Sequence, residues 1–121
     1  MKLRLLAVAL AIASLCVPAR PAYVYPYNRL TGEQVVSRLL KEPRTELDHI
    51  ERDMTHAYVD GIKDGTQGEK WCFTGTLLPH ELNIEVAATL QERAKAGLQG
   101  NAAPLIVGEL ARLYPCRGRA R

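Results

Sequence analysis

The sequence predicts a small all-α bundle of about four helices closed by one disulfide. Apolar residues recur at helical spacing in successive segments between Leu30 and Tyr114, and each segment is bounded by capping or helix-breaking residues. No segment alternates polar and apolar for long enough to read as a strand. Two cysteines, in Trp71-Cys72 and Pro115-Cys116, bracket the last two helical segments, and the third, Cys16, lies in an N-terminal stretch with the character of a secretion signal. Removing that stretch leaves an even pair in an oxidising compartment, where a structural disulfide forms and persists.

The signal reading rests on Lys2 and Arg4, followed by an apolar run from Leu5 to Leu15 that is too short to span a bilayer, and by Pro18, Ala19 and Pro21. The expected cut follows Ala19, making residues 1–19 the signal; a cut after Ala22 is the alternative. Lipid attachment at Cys16 is disfavoured because Leu15 stands where such sites take a small residue. About 100 residues then remain, enough for one domain with a modest core. Lys2 and Arg4 are two of the 16 basic residues, so their loss nearly balances charge against the 13 acidic ones and makes nucleic acid an unfavoured partner. No later segment is apolar enough to span a membrane.

Residues 20–29 contain Pro21, Pro26, Tyr23, Tyr25 and Tyr27, a composition for an extended arm. Thr31-Gly32-Glu33-Gln34 has capping-box spacing, with Leu30 and Val35 placed as a hydrophobic staple, so a first short helix starts here. Val35, Val36, Leu39 and Leu40 continue it, and Pro43 stops it. Thr45-Glu46-Leu47-Asp48 repeats the start signal for a longer second helix, expected to end near Gly65 or Gly68. Leu47, Ile50, Met54, Ala57, Tyr58, Gly61, Ile62 and Gly65 share one side of it, which is expected to be its buried face. Ala57, Gly61 and Gly65 are spaced by four and predict close approach of another helix, within the chain or from a second copy, to offset the glycines' poor helix propensity. A third helix is expected from about Leu78 to Ala96, with Leu82, Val86 and Leu90 inward. The last takes in Leu105, Ile106, Leu110, Leu113 and Tyr114, with Pro104 in its first turn and Pro115 at its end. Residues 117–121 form a basic tail carrying Arg117, Arg119 and Arg121.

Little in this pattern points to catalysis. His49, Asp53, His56 and Asp60 share a stripe of the second helix, but four ligands in a row along one helix cannot surround one ion, and a charged solvent face is the expected reading. The two remaining cysteines are expected to be oxidised, Ser37 is the one serine after the signal, and Gly97 to Gly100 lacks the context and ending of a phosphate-binding loop. The expectation is therefore a binding protein, with no enzyme activity, metal or cofactor.

The run Ala57-Tyr58-Val59-Asp60-Gly61-Ile62, then Trp71-Cys72, a helix with Leu82, Val86 and Leu90, then Ala102-Ala103 and the closing Tyr114-Pro115-Cys116, resembles the Rap/Tai family of immunity proteins. That family protects bacteria against peptidoglycan amidases delivered by the type VI secretion system. The resemblance covers residues 30–116 and implies a periplasmic, all-α protein, commonly a homodimer, that binds its cognate amidase effector and blocks the active-site cleft. It matches Cys72 and Cys116 to the family's structural disulfide and Gly61 to its close helix-packing position. The chain departs from its relatives in holding Leu40 and Thr55 where many carry a further cysteine pair, and Leu78 where a capping threonine is common; the tyrosine-rich arm looks like an addition. For partner binding, the polar connection with Arg93, Lys95, Gln99 and Asn101 is the expected projecting loop. The competing functional reading is a periplasmic stress or chaperone-like helical protein without a toxin partner.

Overall fold

The computed structural model describes residues 29–93 and 96–118. The expected signal, the arm before Arg29, Lys95 and the end of the basic tail lie outside the described residues. Four helices follow in order: α1, Gly32–Leu40; α2, Glu46–Thr66; α3, Pro79–Arg93; and α4, Ala102–Leu113. There is no strand among the described residues, only isolated bridges between Thr31 and Asn101 and between Gln67 and Trp71.

Local chemistry sets the helix starts. Thr31 caps α1: its hydroxyl accepts the Gln34 amide at 3.2 Å, while the Gln34 side-chain oxygen accepts the Thr31 amide at 2.9 Å. Thr45 and Asp48 form the same reciprocal box at α2, at 3.1 and 2.9 Å. The Asp48 carboxylate also accepts the Arg44 amide, and these hydrogen bonds hold its pKa below the usual value. Pro79 occupies the first position of α3, one residue later than expected, and Glu81 accepts the Leu78 amide at 3.0 Å. Asn101 caps α4 by accepting the Ala103 amide at 3.3 Å.

The core lies where the four helices meet. Val35 and Leu39 of α1, Val59 of α2, Leu82, Val86 and Leu90 of α3, and Ile106 and Leu110 of α4 are all buried. The inner stripe expected for α3 is therefore the observed one. Trp71, in the α2–α3 connection, is 1% exposed, and its indole N–H donates to the Thr66 hydroxyl at 3.0 Å. Gly68 makes the turn before it with φ of 81°, in the region that favours glycine. Cys72 is bonded to Cys116, 44 positions later, and the Cys72 amide donates to the Tyr114 carbonyl at 2.8 Å. The bridge thus ties the approach to α3 to the exit of α4.

The orientation of α2 is reversed from the expectation. Leu47, Ile50 and Met54 are 64%, 47% and 67% exposed, and Ala57, Gly61 and Gly65 are exposed as well. Among the described residues a Cβ added at Gly61 or Gly65 would meet nothing within 4 Å, so neither glycine packs against another of the four helices. The buried residues are instead Thr55, Val59 and Lys63, with Tyr58 and Ile62 packed at the edge. This inversion is sustained by local satisfaction of polar atoms. Thr55 and Thr66 return their hydroxyls to the carbonyls of Glu51 and Ile62, at 2.7 and 2.6 Å, which leaves their methyl groups to pack.

Candidate functional site

Three surfaces carry the chemistry of the described residues: a polar seam between α2 and α3, a groove beside it, and the α3–α4 connection. The seam is built on Asn83, which is fully buried among the apolar residues of α3. Its side-chain amide donates to Asp60 Oδ1 at 3.0 Å and lies 3.1 Å from His56 Nδ1, which accepts when that nitrogen is unprotonated. Lys63 completes the cluster from the next turn of α2. Its buried ammonium donates to the Pro79 carbonyl and contacts Asp60 Oδ1, both at 2.8 Å.

Each ionisable group in this cluster is shifted for a physical reason. Burial pushes the Asp60 carboxyl up, but the hydrogen bonds from Lys63 and Asn83 and the Lys63 charge outweigh it, and the net pKa is lowered. Burial, helped by the charge of Arg52, lowers the pKa of His56. The seam therefore favours an ionised Asp60 and a neutral His56. His56 and Asp60, expected on a solvent face, are part of the α2–α3 contact instead, while His49 and Asp53 remain exposed. Among the described residues, no group of three or more His, Cys, Asp or Glu side chains is placed to hold a metal ion.

Beside the seam opens a groove of about 320 Å³ whose lining includes Lys63, Asp64, Trp71, Phe73, Leu77 and Leu82. Its far wall is braced by Tyr114, whose ring meets Phe73 edge-on at 4.8 Å between centroids. The Tyr114 hydroxyl donates to Glu85, and burial together with that bond pushes its pKa up to about 12.

The α3–α4 connection is stitched to the start of α1. Leu98 O accepts the Glu33 amide at 2.8 Å, and Gly100 O accepts the Gly32 amide at 3.1 Å, satisfying donors that the first turn of α1 leaves unpaired. Gln99 donates to the Glu33 carboxylate, and Leu98 is buried beneath the turn. Of the residues expected to meet a partner, Arg93 ends α3 and is exposed, Gln99 is exposed but bonded to Glu33, Asn101 is used as the α4 cap, and Lys95 lies outside the described residues. Replacing Asn101 would therefore remove a cap as well as a surface group.

The seam was the feature least visible in the sequence. The one usable signal was Asn83, a polar residue in register with Val86 and Leu90 on the face of α3 that otherwise reads as core. No comparable signal marked Lys63, whose burial depends on Asp60 and on a carbonyl from another element.

In comparison with known proteins, residues 26–116 match the family model of the Rap1a immunity proteins. None of the curated proteins searched matches the chain.

Proposed function

The chain belongs to the Rap1a immunity protein family, and from this we propose that it is a periplasmic immunity protein that binds a type VI secreted peptidoglycan amidase and occludes its active-site cleft. The observation that carries this reading is the family match over residues 26–116, on a four-helix fold with the Cys72–Cys116 bridge. The N-terminal signal and the cysteine pair support export to an oxidising compartment. Among the described residues, no helix is long and apolar enough to cross a membrane. The protein acts by occupying a surface, with no turnover of its own, and the homodimer implied by the resemblance is supported by the exposed apolar side of α2.

For the occluding element, the α3–α4 connection remains the proposed site, with exposed Arg93 at the end of α3, Gln99 exposed and held by Glu33, and Lys95 between them in sequence. Its attachment to α1 supports this role, because a loop held in place loses little freedom when it enters a cleft. The test is a competition on solid medium between a strain deleted for this gene, its parent, and a parent lacking type VI secretion. Death of the mutant only beside the secreting parent, with rescue by a secreted copy of the protein, is the expected result. Rescue by a copy carrying Arg93→Ala, Lys95→Ala and Gln99→Ala together should fail while its melting temperature stays near that of the parent. Survival of the deletion strain where sibling killing is otherwise demonstrable would overturn the immunity reading and favour the stress-protein one. Full rescue by the triple variant would move the binding surface elsewhere.

A further inference from the structure

Gly32 stands at the start of α1, where its own backbone gives no reason for a glycine. Positive φ among the described residues occurs only at Gly68 and Gly118, so Gly32 adopts a conformation open to other residues, and glycine is a poor helix former. The reason lies in the α3–α4 connection packed across it. A Cβ at position 32 would stand 3.0 Å from the Leu98 carbonyl oxygen, 3.1 Å from Leu98 Cδ2 and 2.8 Å from Leu105 Cδ1. The Leu98 side chain is buried beneath the turn, so its carbonyl has little room to retreat.

We infer that Gly32 and Glu33 of α1 are positioning residues for the occluding connection, acting through its path and through the Gln99 side chain rather than by meeting the effector themselves. Glu33 holds two successive residues of the connection. Its amide donates to Leu98 O at 2.8 Å, and its carboxylate accepts from the Gln99 side chain. The Gly32 amide donates to Gly100 O at 3.1 Å, and the Ala102 amide returns a bond to Leu30 O at 2.9 Å. These bonds run in both directions across the antiparallel Thr31–Asn101 bridge and so fix the register of the connection against α1.

An untethered glutamine gives up rotamers when it enters an interface, and an untethered backbone segment gives up more. Here both are ordered when the chain folds, before any partner arrives. Gln99 is exposed and able to meet a partner, whereas Gly32 is buried beneath the connection. Glu33 also lies in the first turn of α1, where a negative charge favours the helix. A substitution that keeps its side-chain acceptor but removes the charge therefore separates that local effect from the hold on Gln99. This inference rests on the connection being the occluding element, and it deepens that reading by naming what sets its shape.

The test pairs amide hydrogen exchange of the purified mature protein, followed by NMR, with rescue of the deletion strain beside its secreting parent. The amides of Gly32 and Glu33 report the hold directly, because their acceptors belong to the connection. Glu33→Ala should speed their exchange about threefold to tenfold, leave the melting temperature near that of the parent, and weaken rescue. Glu33→Gln, whose side-chain oxygen still accepts from Gln99, should keep both exchange and rescue at the parental level. Gly32→Ala, which forces the Leu98 carbonyl outward, should speed exchange more than about tenfold and abolish rescue. Lost rescue in Glu33→Ala with unchanged exchange would overturn the positioning role and place Glu33 against the effector. Lost rescue in Glu33→Gln with parental exchange would overturn it too, because the charge itself would then be recognised. Faster exchange with full rescue would overturn the link between the held connection and occlusion. These outcomes are read where the deletion strain dies and the parental copy rescues it; survival of the deletion strain would instead overturn the immunity reading, and this inference with it.

Discussion

The two long sides of α2 have exchanged the roles that their compositions suggest. The outward side offers Leu47, Ile50 and Met54 to solvent, while the inward side carries Thr55, Lys63 and part of the His56–Asp60–Asn83 seam into the bundle. Only Val59 is a fully buried apolar residue on this helix. The difference shows that hydrophobic periodicity identifies a face that needs covering without saying what covers it. The inward side is paid for by hydrogen bonds: threonine hydroxyls to carbonyls of the preceding turn, Lys63 to Asp60 and Pro79, and Asn83 to both His56 and Asp60. The outward side has no such compensation among the described residues.

The largest effect that would break this contrast comes from releasing the structure that holds the inward side in place. Beyond its C-terminus α2 runs into Trp71 and the Cys72–Cys116 bridge, which closes a 44-residue loop. Replacing both cysteines by serine is expected to cost about 4 kcal/mol on the loop-entropy argument, read as a lowered denaturant midpoint. In a domain of this size that is a large share of total stability. Retention of the parental midpoint would mean that packing around Trp71 holds the inward side of α2 without the covalent tie.

A smaller loss is expected within the seam. Asn83→Ala removes the donor shared by His56 and Asp60 and should cost about 1–3 kcal/mol. The pH dependence sharpens this. Asp60 has its folded pKa lowered, so its contribution is present above the ordinary carboxylate range and is lost as pH falls through that range. His56 has its folded pKa lowered too, so stability declines again as pH falls below the ordinary imidazole value of about 6.5. Urea denaturation of the parent should therefore show stability falling in two stages on acidification, and Asn83→Ala should flatten the lower one. Parallel pH curves for the two proteins would detach Asp60 from the seam.

The smallest effect has the opposite sign and belongs to the outward side. Gly61→Ala should stabilise the monomer by about 1 kcal/mol, because alanine favours the helix and its methyl group meets nothing among the described residues. Measured at concentrations low enough to keep the protein monomeric, a loss of stability instead would place Gly61 against another part of the same chain and erase the contrast between the two sides.

Much of the fold was legible in the residues because it is set locally. The capping boxes at Thr31 and Thr45 were visible as spacings, since their partners lie three residues away. Pro79 and Pro104 mark first turns for a similarly local reason. The candidate site was less legible. Arg93, Gln99 and Asn101 were found as a polar connection, but the use of Asn101 as a cap and of Gln99 as a partner for Glu33 required knowing that this connection lies against α1.

By itself the sequence determined four helices, most of their boundaries and the cysteine pairing, because capping and proline act between neighbours and covalent chemistry joins the two cysteines, Cys72 and Cys116, that bracket the last two helices. The tertiary structure decided which side of α2 faces inward. That choice is a competition among all four helices for one core. The core is already filled by Val35, Leu39, Val86, Leu90, Ile106 and Leu110, and α2 completes it with Val59 and with polar groups whose partners come from α3 and from their own preceding turns.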